Sequence, residues 1–463
     1  MQSRSLVSAL LVLLCATASQ VVLAANKYPV VLIHGLAGWG RGEFGGANYF
    51  GLLQDYEAKL KADGYQVLTV GVGKVTSNWH RACEIYAQLK GGRVDYGENH
   101  AKTYGHTRYG RNYTALFPQW GTVVDGQLQK VHLVGHSMGG TTARMLTQLL
   151  NQGTKGATVT EDPASHPLFA GGKDWVHSVT TMATPNQGTT LADDFSDFPY
   201  LIQDVVSFMM GAAGLLGDAS ARLYDPMLDQ WGITPKRPGE ALGPYVQRIM
   251  ASKVLAPGST DNARYSLTTD GARAENAWVK TLPNVYYYAF ITEGTFDWVD
   301  LFLRKVALPN PAVMFPVLYP FATAIGSRNT VSNGFSEAWL PNDGLVNVPS
   351  QIGDGQGRVV DFSGRSQRGQ WARFKTLKMD HAGIIGWNPL IKVYDMYRAH
   401  AALLTDLPTH EELASGARRL RDEAADAGHQ APEEILQAFE RAFATYNADV
   451  PESPFVPATA AKP

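Results

Sequence analysis

The chain has 463 residues, of which 45% are apolar and 18% are charged, a composition typical of a globular protein and not of a disordered or fibrous one. Lys and Arg number 40 against 42 Asp and Glu, so the formal net charge is -2, which argues against a nucleic-acid-binding protein because such proteins usually carry a basic excess. Length alone allows about three domains of ~150 residues, but a single α/β enzyme with insertions fits as well.

The first 24 residues have the pattern of a secretory signal peptide. Arg4 supplies a positive charge, an apolar run follows over residues 6–18, and Ala24 is a small residue at a plausible cleavage point. A membrane anchor is the alternative, but the run is shorter than the ~20 residues that a span needs. The sequence therefore predicts a secreted protein, extracellular or periplasmic, without stable membrane insertion.

Five short segments predict strands, the first of them wholly apolar, with helical spacing between some of them. A helix is predicted over residues 56–62 and another over 141–150. This alternation predicts an α/β protein with a mostly parallel central sheet and helices on both faces. The predicted strands are residues 29–33, 67–70, 131–134, 177–182 and 285–290.

Three stretches interrupt this plan, and the C-terminal part changes character. Residues 74–120, 186–232 and 291–338 are interpreted as insertions that shape a site, the last of them irregular. The catalytic domain is predicted to span 25–404, with a helical extension over 405–449. That extension contains a possible capping box of Thr409 and Glu412 and an amphipathic helix near Pro432. It is interpreted as a surface appendage rather than a partner-binding element, and 450–463 as a disordered tail.

A Gly-x-Ser-x-Gly sequence between a strand and a helix marks a candidate nucleophile. Gly135 and Gly139 flank Ser137, directly after the strand that begins at Val131. A sharp strand-to-helix turn would expose the hydroxyl above the sheet, next to a helix N-terminus that favours negative charge. The alternative is a simple glycine-rich turn.

A serine nucleophile needs a base and a group that orients the base. His381 lies in a compact polar turn late in the chain and is the best candidate base, whereas His400 and His410 lie in or beside predicted helices. Asp343 precedes a glycine and an apolar run, so it is the best candidate acid. The alternative for Asp343 is an ordinary turn residue, since Asp-Gly is common in turns.

Two backbone amides are the predicted oxyanion donors. Met138 follows the nucleophile, and Leu36 lies in the loop after the first strand. A competing G-x-G-x-x-G match begins at Gly40, several residues after that strand ends. A dinucleotide site would need the strand to run directly into the first glycine, so this match is weak.

Taken together, these motifs resemble the zinc-containing secreted bacterial true lipases of subfamily I.5, relatives of the staphylococcal lipases. The resemblance implies an α/β-hydrolase fold and a catalytic triad of Ser137, Asp343 and His381. It covers residues 28–400 in the same order and leaves out the extension after 405. The matching segments are Val31–Gly40, Ser77–Glu84, Asp95–Gly97, Gly135–Gly140, Ala183–Thr189, Leu228–Gly232, Asn342–Asn347 and Asp380–His381.

The resemblance also implies a structural zinc site formed by His80, His100, His106 and Asp229. By themselves these residues are only a loose cluster of histidines, which is more often polar surface than a metal site. The family usually has Asp at the first position, where this chain has His80; His is itself a good zinc ligand. The family's calcium ligands correspond to Gly383 and Asn388, which offer no carboxylate, so the sequence predicts an absent or weak calcium site.

The resemblance further implies a lid over about residues 190–220. Apolar residues at helical spacing occupy 201–216 and are interrupted by Gly211 and Gly214, which favours mobility over a plain core helix. The predicted function is a secreted triacylglycerol lipase acting on lipid or other ester substrates at an oil–water interface. The alternatives are a carboxylesterase or polyesterase with the same triad, and a non-catalytic binding protein, against which the complete triad argues.

Overall fold

The computed structural model describes residues 26–194, 225–237, 239–256, 258–328, 335–388, 391–409, 411–412 and 428–447. The predicted signal peptide, residues 195–220 of the predicted lid and the predicted tail at 450–463 lie outside the described residues.

The strands form one large sheet and four small ones. Seven strands make the large sheet, in the order β12-β14-β9-β8-β7-β1-β2, and every neighbouring pair is parallel. The four small sheets are antiparallel pairs of two strands each. The strands are β1 (Val30–Ile33), β2 (Val67–Val70), β3 (Gly92–Asp95), β4 (Tyr109–Tyr113), β5 (Val123–Val124), β6 (Gln127–Leu128), β7 (Val131–His136), β8 (Val176–Met182), β9 (Tyr286–Phe290), β10 (Thr295–Val299), β11 (Lys305–Pro309), β12 (Val359–Asp361), β13 (Arg365–Ser366), β14 (Trp371–Arg373) and β15 (His429–Gln430).

Helices fill the connections between the strands. Among the described residues, none of them is both long enough and apolar enough to cross a bilayer. The helices are α1 (Tyr56–Ala62), α2 (Asn78–Lys90), α3 (Glu98–Tyr104), α4 (Met138–Gln152), α5 (Thr190–Asp194), α6 (Leu242–Met250), α7 (Ala263–Leu267), α8 (Thr269–Asn276), α9 (Tyr319–Gly326), α10 (Val348–Gln351), α11 (Tyr394–Asp406) and α12 (Glu433–Asn447).

Two apolar cores lie on opposite faces of the large sheet. Side chains alternate along a strand, so Val30 and Leu32 of β1 enter one core and Val31 and Ile33 enter the other. The first core also contains buried residues of α1, α11 and α12, and the second those of α2 and α4. Because both faces are covered, every residue of β1, β7 and β8 is buried. Strand β1 is apolar throughout, whereas β8 also buries His177 and three hydroxyl side chains.

All five predicted strands and both predicted helices are present, but the edge of the sheet was missed. Strands β12 and β14 have three residues each, too few to show a period. The expectation that residues 291–338 are irregular was wrong. This stretch contains the hairpin of β10 and β11 and helix α9, because strand pairing and packing override its scattered prolines and glycines.

The C-terminal helix, α12, packs against α11 on one face of the large sheet. Helix α12 begins beside the predicted start at Pro432, and its Ile435 and Phe439 are buried in the first core against α11. At the start of the extension, the Thr409 N–H donates to Glu412, and the Glu412 N–H donates to the Thr409 hydroxyl at 3.1 Å, as a capping box requires.

Candidate active site

Ser137 occupies a strained turn between β7 and α4. Its backbone has φ 54° and ψ -131°, a conformation that side-chain-bearing residues rarely adopt. The turn is held by the Ser137 N–H, which donates to the Met182 carbonyl at 2.9 Å at the end of β8. The residue is 8% exposed, so its hydroxyl lies close to the surface of an otherwise buried edge. This edge, formed by the carboxyl ends of the parallel strands, is where open α/β sheets bind their ligands.

The glycines on both sides of Ser137 are required by close backbone contacts. A Cβ at Gly135 would lie 2.2 Å from the Gly139 carbonyl carbon, and one at Gly139 would lie 2.2 Å from the Ile33 oxygen. Real Cβ atoms do not approach backbone so closely, so only glycine fits either position. The small residues therefore allow β1, β7 and α4 to converge beneath the serine.

Asp343 and His381 meet although 38 residues separate them in sequence. The His381 Nδ1 lies 2.8 Å from the Asp343 Oδ2, and the His381 backbone N–H donates to the Asp343 carbonyl at 2.9 Å. Asp343 is fully buried and His381 is 6% exposed. A carboxylate accepts only, so Nδ1 carries the proton, and the Nε2 of neutral His381 is left as the basic nitrogen.

Four further donors surround the buried carboxylate of Asp343. Its Oδ1 accepts from the N–H groups of Leu345 and Val346, which is the turn geometry expected of an Asp-Gly sequence. Its Oδ2 accepts from the Thr292 hydroxyl at 2.7 Å and from the Gln351 amide at 3.3 Å. The same residue is thus a turn aspartate and the partner of His381, and these donors offset the cost of burying its charge.

A chain of hydrogen bonds connects the loop after β1 to His381. The Gly35 N–H donates to the Tyr49 hydroxyl at 3.1 Å, and that hydroxyl donates to His136 Nδ1 at 2.7 Å. The other nitrogen of His136, Nε2, donates to the His381 carbonyl at 2.9 Å. Burial, followed by the nearby His381, lowers the pKa of His136 well below its usual value, so this ring remains neutral.

The loop after β1 runs directly beside Ser137. A Cβ on Gly35 would lie 2.7 Å from the Ser137 Cβ, so Gly35 contacts the nucleophile directly. Leu36 is the next residue in this loop. Within the described part of the chain, no hydrogen bond has the backbone N–H of Leu36 or of Met138 as its donor. Two free amides on either side of a serine are the arrangement that an oxyanion hole needs.

Two buried side chains hold this loop in place. The guanidinium of Arg81 donates to the carbonyls of His34 and Gly73 and to the Thr142 hydroxyl. The His34 Nε2 accepts from the Val72 N–H at 3.0 Å, and its Nδ1 lies 2.8 Å from the Gly35 oxygen. Burial, Lys74 and Arg81 lower the pKa of His34, so it acts here as a neutral structural residue.

A second buried carboxyl group, that of Asp380, belongs to the residue directly before His381 and lies near the pair of Asp343 and His381. Asp380 accepts from the N–H groups of Ala382 and Gly383 through Oδ1, and from the Phe315 N–H through Oδ2. Burial raises the pKa of Asp380 to about 6 even though these N–H groups favour its charged form. Its hydrogen bonds shape the turn on which His381 stands.

Three of the predicted metal ligands come together elsewhere in the chain. His80 of α2, His100 of α3 and His106 form a buried cluster with Asp261, and one ligand atom from each lies within 4.8 Å of the others. The His80 Nε2 lies 2.9 Å from the Asp261 Oδ2, and the His100 Nδ1 lies 3.1 Å from the His106 Nε2. The Asp261 Oδ2 lies 3.6 Å from the His106 Nε2, and the Asp261 Oδ1 lies 3.5 Å from the other ring nitrogen of His100, Nε2.

These separations suit a four-coordinate metal ion. Metal–nitrogen bonds of about 2.0 Å in a tetrahedron put neighbouring ligand atoms about 3.3 Å apart. The His106 Nδ1–H donates to the Thr107 carbonyl at 2.9 Å, which leaves the Nε2 lone pair facing the cluster. Burial lowers the pKa of His106 to about 4, so this lone pair is available at neutral pH.

The prediction that Asp229 belongs to this cluster was wrong for the structure as it stands. Asp229 instead contacts the Arg111 guanidinium at 2.5 Å, and Arg111 also binds Asp225. Asp261 takes the fourth place because its neighbour Asn262 pairs with Thr76 just before α2, which brings Asp261 to Ser77, whose hydroxyl donates to it at 2.5 Å. Although burial opposes its charge, His80, His100 and Ser77 lower the pKa of Asp261 overall. Nothing in the local sequence marks Asp261, which lies 181 residues from His80.

Several residues that position the site carry no signal in the sequence. Tyr49, Thr292 and Gln351 each reach the site from a different connection, and none belongs to a recognisable motif. Asp380 is part of the Asp-His pair that the sequence singled out, but its hydrogen bonds to Phe315 and Gly383 depend on the fold.

The amino-acid sequence is similar to those of known lipases. A family model described as the lipase-like, C-terminal domain matches residues 26–413. Lipase 2 of Staphylococcus aureus is 33% identical over 381 residues, a match that covers 78% of this chain and 50% of that protein. The chain therefore spans about half the length of the curated relatives that it matches.

Solved structures resemble the chain over most of its length. Lipase 1 from Pelosinus fermentans superposes with a TM-score of 0.73 at 38% identity and covers 82% of this chain and 99% of its own. EstA from Clostridium botulinum gives 0.73 at 37% identity, covering 84% and 90%. The Staphylococcus hyicus lipase gives 0.64 at 30%, covering 82% and 96%. These similarities confirm the predicted α/β-hydrolase fold.

Proposed function

Because the chain belongs to the family of lipase-like C-terminal domains, as the resemblance in its sequence predicted, we propose that it is a secreted triacylglycerol lipase. It hydrolyses carboxylic esters of acylglycerols through an acyl-enzyme. The observations that carry this proposal are the strained Ser137, the buried pair of Asp343 and His381, and the hydrogen bond by which His136, the residue before Ser137, reaches the His381 carbonyl. The same residues would serve a carboxylesterase or polyesterase.

Each residue has a defined task in the proposed reaction. Ser137 attacks the ester carbonyl while His381 Nε2 takes the hydroxyl proton and then returns it to the leaving alcohol. Asp343 holds the imidazole in the required tautomer and stabilises its cation. Water, activated by the same histidine, attacks the acyl-enzyme, and the proton returns to Ser137 as the fatty acid leaves.

The backbone amides of Leu36 and Met138 stabilise the oxyanion in this scheme. This role is supported by the absence, within the described residues, of any hydrogen bond that either amide donates. Such donors are typically worth 100- to 1,000-fold in turnover. The lid that the resemblance implies lies, over residues 195–220, outside the described residues and stays a prediction.

Replacing the nucleophile tests the reaction directly. Ser137→Ala should fold normally and lose about 10⁴-fold or more of kcat on emulsified trioctanoin and on dissolved tributyrin. Unaltered activity in a folded variant would refute the assignment. A parent enzyme that is active only on the dissolved ester would favour the carboxylesterase alternative, since a lidded lipase gains activity when an interface forms.

We further propose that His80, His100, His106 and Asp261 hold a structural zinc ion, supported by their ligand spacing and burial. When bound, zinc would cross-link α2, α3 and the segment before α7. Asp261→Asn should lower the zinc content measured by mass spectrometry and the melting temperature. Asp229→Asn is the matched control and should retain zinc; the opposite pattern would restore Asp229 as the ligand.

A further inference from the structure

The hairpin of β10 and β11 ends in a fully exposed apolar tip. The tip consists of Leu301, Phe302 and Leu303, which are 99%, 79% and 87% exposed. On the adjoining strand, Trp298 and Val299 are 42% and 52% exposed. Single exposed apolar residues need no explanation, but five within six positions on one projecting turn mark an interaction surface.

Most of the backbone N–H groups of this turn donate to acceptors within the turn itself. The Asp300 N–H donates to the Arg304 carbonyl, and the Leu303 N–H donates to the Asp300 carbonyl. The Asp300 carboxylate accepts from the N–H groups of Phe302 and Arg304 at 2.8 and 2.9 Å. A turn that enters an apolar phase must satisfy its own backbone in this way, because lipid offers no hydrogen bonds.

One residue of the tip is held in an unfavourable backbone conformation. Leu303 has φ 60°, in the left-handed region where glycine or asparagine is the ordinary choice. A leucine here costs conformational energy and gains no packing, since its side chain is 87% exposed. Its apolar side chain therefore points to a contact outside the folded chain.

The base of the hairpin is attached to the candidate active site. Thr292, which donates to Asp343, precedes β10 by three residues, and the Thr295 side chain at the start of β10 bonds to Asn342 beside Asp343. The hairpin leaves from the carboxyl end of β9, the edge of the sheet that carries Ser137. Five residues of strand carry the tip roughly 16 Å from this base.

The charges of the hairpin favour a neutral apolar partner. Its residues 295–309 contain two acids and two bases. Arg304 pairs with Asp300 at 2.7 Å, and Lys305 lies 3.4 Å from Glu337. With no net charge, the hairpin lacks the basic excess by which proteins attach to anionic membranes.

We propose that this tip inserts into the surface of a neutral ester-lipid phase and holds the active-site edge of the sheet against it. The inference rests on the proposed function, since it names the surface on which that site works. A projecting turn enters a fluid acyl phase without needing a complementary pocket, and the half-exposed Trp298 suits the boundary between acyl chains and water. Anchoring is then separate from the catalytic step.

Lipid binding with an inactive background tests this role. Ser137→Ala would be measured for flotation with phosphatidylcholine vesicles and trioctanoin emulsion, alone and combined with Leu301→Ser, Phe302→Ser and Leu303→Ser. Each buried Leu or Phe is worth about ten-fold in partitioning, so the triple change should weaken binding about 1,000-fold. The matched control is Leu53→Ser with Val123→Ser, which are 75% and 67% exposed elsewhere and should change binding by less than two-fold.

Two further measurements, of activity and of a dye at the tip, distinguish a loss of lipid anchoring from a loss of catalysis. With Ser137 restored, the triple variant should retain activity on dissolved tributyrin within two-fold and lose activity on the emulsion. An environment-sensitive dye attached to Leu301→Cys should shift its emission to the blue on emulsion. The dye reports on this position because Cys83 is buried and labels little.

Unchanged flotation of the triple variant, or an unshifted dye, would overturn the inference. Binding restricted to anionic vesicles and abolished by salt would overturn it as well, as would a tip that only changes the oligomeric state in sedimentation. Tip-dependent flotation of a parent that hydrolyses no ester would instead refute the proposed function.

Discussion

The hydroxyl of Tyr49 should be worth several kcal/mol, because it serves two buried groups at once. It accepts from the Gly35 N–H at 3.1 Å and donates to His136 Nδ1 at 2.7 Å. Tyr49→Phe leaves both groups without a partner while the ring still fits. A buried polar group without a partner costs about 1–3 kcal/mol, so the free energy of unfolding should fall by about 2–5 kcal/mol.

The same change should also reduce catalysis, since Gly35 precedes Leu36 and lies beside Ser137. A loosened loop would place the Leu36 amide less well, so kcat on dissolved tributyrin should fall about ten-fold or more with KM little changed. The assays are urea denaturation and initial rates on the same preparations.

Tyr56→Phe is the matched control for this experiment. The Tyr56 hydroxyl is also buried, but it has no hydrogen-bond partner among the described residues. Its removal should leave stability within about 1 kcal/mol of the parent, or raise it. Equal effects of the two substitutions on stability would refute the reasoning from paired hydroxyls.

Two further residues give independent predictions. Thr292→Val removes the 2.7 Å hydrogen bond to Asp343, and a hydrogen bond to a charged group is worth about 1.5–3 kcal/mol. We therefore expect kcat/KM to fall about ten-fold in this variant and to be restored in Thr292→Ser. A fall that serine does not rescue would indicate a packing role. Asp380 has a folded pKa of about 6 against 3.8 unfolded, so its contribution to stability is fully present below pH ~3.8 and is lost as pH rises through 6. The free energy of unfolding of the parent minus that of Asp380→Asn should therefore decrease by about 2 kcal/mol between pH 4 and pH 7, and a pH-independent difference would contradict the raised pKa.

The sequence by itself determined the parts of the protein that depend on local pattern. Strand β1 was visible because both faces of the sheet are covered, so all of its residues are apolar. Strand β8 was predicted although it contains His177 and several hydroxyl side chains. Ser137 was visible because its turn requires glycine at positions 135 and 139, which the clashes at those positions explain. The pairing of Asp343 with His381 was predicted from turn chemistry, chain order and resemblance together.

Only the tertiary structure decided which distant groups meet. Asp261 joins the histidine cluster from 181 residues away, while Asp229, favoured by its motif, pairs with Arg111. Tyr49 and Thr292 likewise act through contacts between separate connections of the sheet. A carboxylate or hydroxyl has the same chemistry wherever it stands in the sequence, so its partner is chosen by packing and by the cost of burying it unpaired. The tip at Leu301 was likewise decided by the tertiary structure, because an apolar run predicts core until the fold shows that its side chains are exposed.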